Sequence, residues 1–199
     1  MVGSDKPADT AEDTADRDAE LVERLRKGDT KALDELFRRH RDAAYGIAYR
    51  LLGNADDALD VVQEAFIHVL RGIGAFRGQS SFRTWLYRIV THAALDYRRW
   101  RAVRATGSLE AEGTLEPAAR GPTGPSPQEE AQTNDLQRAI EKALANVSDR
   151  NRAALVLYAI EGMSYQEIAE VLDISIGTVM SRIFNARQRL KELLASEIG

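Results

Sequence analysis

The chain has 199 residues and a mass of 22.1 kDa, room for one or two domains of ordinary size. Apolar residues make up 44% and charged residues 29%, enough of each for a globular core. Cysteine is absent, which excludes disulfides and thiolate metal sites. No apolar run approaches the ~20 residues that span a bilayer, and no basic-then-apolar leader opens the chain, so the reading is a cytoplasmic protein without membrane insertion.

The net charge of −4 conceals strong local asymmetry. Residues 1–20 sum to −5, whereas residues 71–104 carry eight arginines against Asp96. Residues 105–134 return to −4, and residues 174–191 carry four cations and no acid. A phosphate backbone meets local charge, so the two basic blocks point to nucleic acid despite the acidic total.

Residues 1–19 read as a disordered acidic lead. A helix follows, with Leu33, Leu36, Phe37, His40, Ala44, Ile47, Ala48 and Leu51 on one stripe, Thr30 at its start and Gly53 at its end. A second helix spans about 56–71, with Leu59, Val62, Phe66, Val69 and Leu70 expected inward. That phase leaves Asp57, Asp60, Gln63 and Glu64 on an outer acidic face. Between residues 76 and 100 lie six of the thirteen aromatic residues, interleaved with arginines. Single-strand binders need this mixture, because unpaired bases stack on rings while the backbone tracks positive charge. The segment Phe76, Arg77, Gln79, Ser80, Ser81, Arg83, Trp85 and Arg88, continued by Arg98, Arg99 and Arg101, is therefore a candidate strand-reading surface. The loop 72–81 is its candidate base pocket, whereas Phe82, in register with Leu86 and Ile89, reads as core. A third helix is expected over 81–104.

Residues 105–134 hold four of the five prolines and no aromatic, the composition of a flexible acidic linker. The chain thus divides into the lead (1–19), a helical domain (20–104), the linker (105–134) and a second helical domain (135–199). The last contains Ser164-Tyr165-Gln166-Glu167, a capping box, followed by a turn at Asp173-Ile174-Ser175 and another helix. This is a helix-turn-helix, whose second helix presents Ser175, Thr178, Ser181, Arg182 and Asn185 to the major groove, with Arg187 further along for phosphates. The fold class is all-α: two small helical domains joined by a flexible linker.

Chemistry of its own is not expected. His40, His68 and His92 are scattered and form no metal motif, and neither a phosphate-cradling glycine loop nor an activated serine is present. No catalytic residue, metal or cofactor is assigned.

The run D-A-x-D-x-x-Q-E-x-F from Asp57, the run F-R-G-x-S-S-F-x-T-W-L-Y-R-I from Phe76, and the helix-turn-helix occur here in that order. Together they resemble the extracytoplasmic-function (ECF) sigma factors of the sigma-70 family, over about three-quarters of the chain. The resemblance implies a non-enzymatic subunit that binds core RNA polymerase, directs it to promoter DNA and melts the −10 region. Asp57, Asp60, Gln63 and Glu64 would sit on the clamp helices of the largest subunit, with a further contact to the flap. Phe76 to Arg88 would melt and read the −10 element, His92 to Arg101 would hold the adjacent duplex, and Thr178 to Arg187 would read the −35 element. An anti-sigma factor is an implied partner. Relatives commonly carry Glu where Leu59 stands, a departure that is harmless if Leu59 faces inward. A stand-alone helix-turn-helix regulator is the alternative, and it leaves residues 56–101 without a role.

Overall fold

The computed structural model describes residues 11–107 and 139–198, which contain eight helices and no strand. In chain order these are α1 (Ala11–Arg26), α2 (Thr30–Leu52), α3 (Ala55–Gly72), α4 (Phe82–Gly107), α5 (139–145), α6 (Asp149–Ala159), α7 (Tyr165–Leu172) and α8 (Ile176–Ile198). Most of the expected linker, residues 108–138, lies outside the described residues, and residues 105–107 complete α4.

Helices α1–α4 form the first unit. The expected stripe of α2 is inward: Leu36, His40, Ala44, Ile47, Ala48 and Leu51 are buried. Its N-cap is Asp29, whose carboxylate accepts from the Lys31 amide, so Thr30 is the first helical residue and not the cap. Gly53 ends the helix at φ 72°, a left-handed position that glycine adopts without steric cost. Helix α3 turns Ala58, Val61, Val62, Ala65, Phe66 and Val69 inward. The two alanines let it approach α2 and α4 closely, and they set a phase different from the one expected. Leu59 and Leu70 lie roughly a quarter turn off the buried stripe and are about half exposed (50% and 47%), which corrects their inward assignment.

The acidic lead needs a second correction. Residues 11–19 belong to α1, which docks through Leu21, Val22 and Leu25. Asp18 is buried and accepts a 2.7 Å hydrogen bond from His40 on α2, with Arg39 at 3.4 Å. High acidity marks exposed sequence on average, but one carboxylate with a buried partner and three aliphatic anchors are enough to order the helix.

The second unit, α5–α8, packs Leu157, Ile168, Val171, Val179, Ile183 and Ala186 into its core. The capping box at α7 is complete. Ser164 Oγ accepts from the Glu167 amide at 3.2 Å, and the Glu167 carboxylate accepts from the Ser164 amide at 2.8 Å. Ser164→Ala is expected to cost about 1 kcal/mol, while Glu167→Gln, which keeps both halves of the box, should cost a fraction of that in urea titrations.

The two units pack on each other, α4 against α7 and α2 against α6, and their buried apolar side chains form one continuous cluster. Arg152 is the polar centre of this seam. Its guanidinium donates to the carbonyls of Leu51 (3.0 Å), Ala145 (2.8 Å) and Val147 (2.8 Å), tying the C-terminal end of α2 to the segment after α5. Burial pushes its pKa down to about 10, still far enough above neutral to keep it charged. Nearby, the Tyr87 hydroxyl donates to Glu161 at 3.0 Å. Burial holds the Glu161 carboxyl above its ordinary pKa, against the opposing effects of Tyr87, Arg50 and Arg83. The folded chain therefore binds more protons there than the unfolded chain, and this group's contribution to stability falls as pH rises through the carboxylate range to the raised value. Glu161→Gln keeps an acceptor for Tyr87. Its melting temperature relative to wild type should rise with pH across that window, and a constant difference would refute the assignment.

Candidate nucleic-acid interface

The outer face of α3 carries Asp60, Gln63 and Glu64, all exposed. Leu59, Ile67 and Leu70 are exposed beside them, so the face is mixed apolar and acidic and not simply acidic. Asp57 is different. Its carboxylate accepts from the Tyr97 hydroxyl at 2.6 Å and from Arg101 at 2.8 Å, so it is spent within the fold joining α3 to α4. The hydrogen bond to Asp57 is the first cause of the raised Tyr97 pKa.

The loop between α3 and α4 brings Phe76 back onto α4. Its ring stacks on Trp85 with centroids 4.7 Å apart and planes 27° from parallel. The Phe76 carbonyl accepts from Arg26, which pins the loop to α1. Trp85 also meets Phe82 edge-on and lies over Gly72, where a Cβ would come within 3.3 Å of the indole. Phe82 itself is buried against His40, as expected for core. Ser81 caps α4, accepting from the Thr84 amide at 3.1 Å, so its hydroxyl has a structural task. Arg77 and Gln79 are exposed and Ser80 is half-buried.

Along α4, a period of 3.6 places Trp85, Arg88, His92 and Arg99 on one side. Trp85, Arg88 and His92 line a cavity of about 580 Å³ against α3, with Glu64, His68 and Trp100 completing the wall. Arg99 pairs with Asp96 at the surface. Arg98 and Arg101 turn away from this side. Arg98 donates to the Leu51 carbonyl at 2.8 Å and pairs with Asp149 at 3.0 Å, while Arg101 serves Asp57. Of these arginines Arg98 is the one drawn into packing, whereas Arg88, Arg99 and Arg101 stay at the surface, each beside a carboxylate.

In the helix-turn-helix, Asp173 closes α7 in the left-handed region at φ 54°. Ser175 caps α8, accepting from the Thr178 amide at 3.2 Å, and the two hydroxyls are 2.8 Å apart. Ser181 and Asn185 are exposed. Arg182 lies one turn beyond Thr178 and one turn before Asn185 on α8. It is half-buried toward α6, and burial first and Arg150 second lower its pKa. The Arg187 guanidinium lies 5.0 Å over the Tyr158 ring, at the surface of the unit. Sequence reasoning passed over three side chains of α8. Ile176, Met180 and Phe184 are exposed at intervals of four, off the Val179–Ile183–Ala186 stripe. That offset spacing was the available signal.

Residues 36–103 match the family model described as Sigma-70 region 2, and residues 137–190 match Sigma-70, region 4. The chain belongs to the ECF sigma factors of the sigma-70 family. It is 34% identical over 190 residues to the RNA polymerase sigma-H factor of Pseudomonas aeruginosa, covering 91% of this chain and 95% of that one. It is 36% identical over 180 residues to the ECF RNA polymerase sigma-E factor of Haemophilus influenzae, covering 87% and 93%. Among solved structures it is similar to CnrH in complex with the cytosolic domain of CnrY, with a TM-score of 0.66 and 30% identity over 91% of this chain and 99% of that one. It is equally similar in fold to the Bartonella quintana sigma factor RpoE in complex with the anti-sigma factor NepR, with a TM-score of 0.66 and 27% identity over 83% and 98%. A sigma factor directs promoter-specific transcription, and the region 2 match removes the basis for a stand-alone regulator. In this sigma factor Arg83 lies 4.0 Å from Glu167, and Arg88 lies 3.9 Å from Asp173, so acids of the helix-turn-helix stand beside arginines of α4. No described helix is long and apolar enough to cross a membrane.

Proposed function

We propose that residues 20–104 dock on core polymerase and open the −10 element, and that residues 135–199 read the −35 element. The polymerase adds the nucleotides, while this chain supplies addressing and strand opening and no catalytic step. The observation that carries the reading is the Phe76–Trp85 stack at the edge of a cavity containing Arg88 and His92. Two rings beside cations at a loop–helix junction suit an unpaired base, which stacks on any aromatic face while its phosphates meet arginine. Arg77, Gln79 and Ser80 lie on the loop that leads into that site, Arg99 extends it along α4, and Asp60, Gln63 and Glu64 form the polymerase face, while Arg83 stands on another side of α4, over Tyr87 and beside Glu167. Arg98, Asp57 and Ser81 act through packing and capping, and Arg101, exposed beside Asp57, faces the adjacent duplex. Since NepR is an anti-sigma factor of a similar sigma factor, an anti-sigma partner is proposed for this chain too.

Run-off transcription with core polymerase on a pool of promoters randomised at both elements tests the whole reading, and transcripts that start without sequence preference would refute it. The polymerase face has its own test. Asp60→Arg with Glu64→Arg should sharply reduce holoenzyme formation in a pull-down while leaving stability within about 0.5 kcal/mol, as for other exposed sites. Undiminished capture would make this an ordinary solvated face.

A further inference from the structure

The outward surface of α8 is less polar than a phosphate-binding helix requires. Met180 is 54% exposed, Phe184 is 62% exposed and Ile176 is 46% exposed, one above another at i, i+4 and i+8. None of the three contributes to the buried stripe of Val179, Ile183 and Ala186. Gly177 and Ser181 lie beside them and add almost no bulk, so the two large side chains stand proud of the helix.

Charge decides between a protein and a nucleic-acid occupant. From residue 174 to residue 191 the helix-turn-helix carries Arg182, Arg187, Arg189 and Lys191 and not one acid. Arg189 pairs with Glu192 at 3.1 Å, but Arg182, Arg187 and Lys191 still leave positive charge in excess, and an apolar strip beside it complements a surface that is apolar along its floor and anionic along its rims. The major groove is such a surface wherever thymine places its 5-methyl group, between two rows of phosphates.

We infer that Met180 and Phe184 are specificity-determining residues that read thymine methyl groups in the −35 element. The inference rests on the proposed reading of that element by α8 and names the base chemistry it selects. Met180 and Phe184 are the fifth and ninth residues of α8, within the part of a recognition helix that reaches base edges. Their Cα atoms are separated by about 6 Å along the helix axis, roughly two base-pair steps of 3.4 Å. The two thymines should therefore lie about two positions apart. Ser181 and Asn185, on the adjoining face, supply hydrogen bonds at neighbouring bases. Half-buried Arg182 is the poorer base reader.

The test isolates the methyl group. A −35 sequence is selected from a randomised pool by transcription with the reconstituted holoenzyme, and each of its thymines is replaced singly by deoxyuridine, which deletes the methyl and nothing else. Two positions should each lose about fourfold in promoter affinity, the worth of one buried methyl group. Phe184→Ala should abolish the sensitivity at one position and Met180→Ala at the other, while Phe184→Leu retains part of it. Both side chains are exposed, so melting temperatures should match wild type. A selected −35 element in which no uracil substitution matters, or in which both variants keep the wild-type pattern, overturns the inference while leaving −35 reading intact. A pool that returns no −35 preference at all overturns −35 reading itself. Reduced polymerase capture by the variants, with unchanged uracil sensitivity, would make the strip a protein-docking surface and also overturn it.

Discussion

Arg152→Ala is expected to remove about 3–5 kcal/mol of stability, a large share of the 5–15 kcal/mol that holds a typical domain. The guanidinium is only 2% exposed and is the shared donor to three carbonyls from two units of the fold. Truncation leaves those acceptors buried with fewer donors, and each unsatisfied acceptor costs about 1–3 kcal/mol. Arg98 still reaches the Leu51 carbonyl and softens the loss there. Arg152→Lys should recover only part of it, because an ammonium on a flexible stem cannot reproduce a planar fork aimed at three oxygens. Urea titration followed by circular dichroism measures the effect. A loss within about 0.5 kcal/mol, the range of an ordinary surface substitution, would show that the guanidinium is not the link described.

Trp85→Ala should weaken promoter opening by roughly 5- to 150-fold, since stacking of one base on an aromatic is worth about 1–3 kcal/mol. The ring faces Phe76 and the cavity of Arg88 and His92, so the loss should fall on strand separation and not on duplex recruitment. A promoter already unpaired over the −10 element should restore most of the activity. Trp85→Phe, which keeps a face for stacking, should lie between the two. Because Trp85 also packs on Phe82 and Gly72, thermal unfolding provides the control. A defect that follows the melting temperature and is not rescued by the unpaired promoter would identify the ring as core alone.

The helix-turn-helix was legible in detail because its signals are local. A capping box and a short turn are properties of neighbouring residues, and the structure reproduces both at Ser164–Glu167 and Asp173–Ser175. The inward side of α2 was equally plain, since large apolar residues recur there at helical spacing. Helix α3 was harder. Alanine is small enough to be buried or exposed, so Ala58 and Ala65 gave no warning that they, and not Leu59 and Leu70, would face the core. Helix α1 was missed because its acids dominate the composition, while the partner of Asp18, His40, lies 22 positions further along the chain.

Residue order alone therefore determined the all-α class, the two helical units, the aromatic and arginine content of residues 76–100 and the family. Each of these depends on spacing within about twenty residues, where backbone geometry leaves little choice. Only the tertiary structure decided which arginines are available. Arg88, Arg99 and Arg101 stay exposed beside Asp173, Asp96 and Asp57, whereas Arg98 is drawn to the Leu51 carbonyl and Asp149, and Arg152 is buried among carbonyls. Arginine has the same charge and the same donors wherever it stands. Whether those donors meet carbonyls, carboxylates or phosphates depends on which oxygens the packed helices bring within reach, and that is a property of contacts between residues up to about a hundred positions apart.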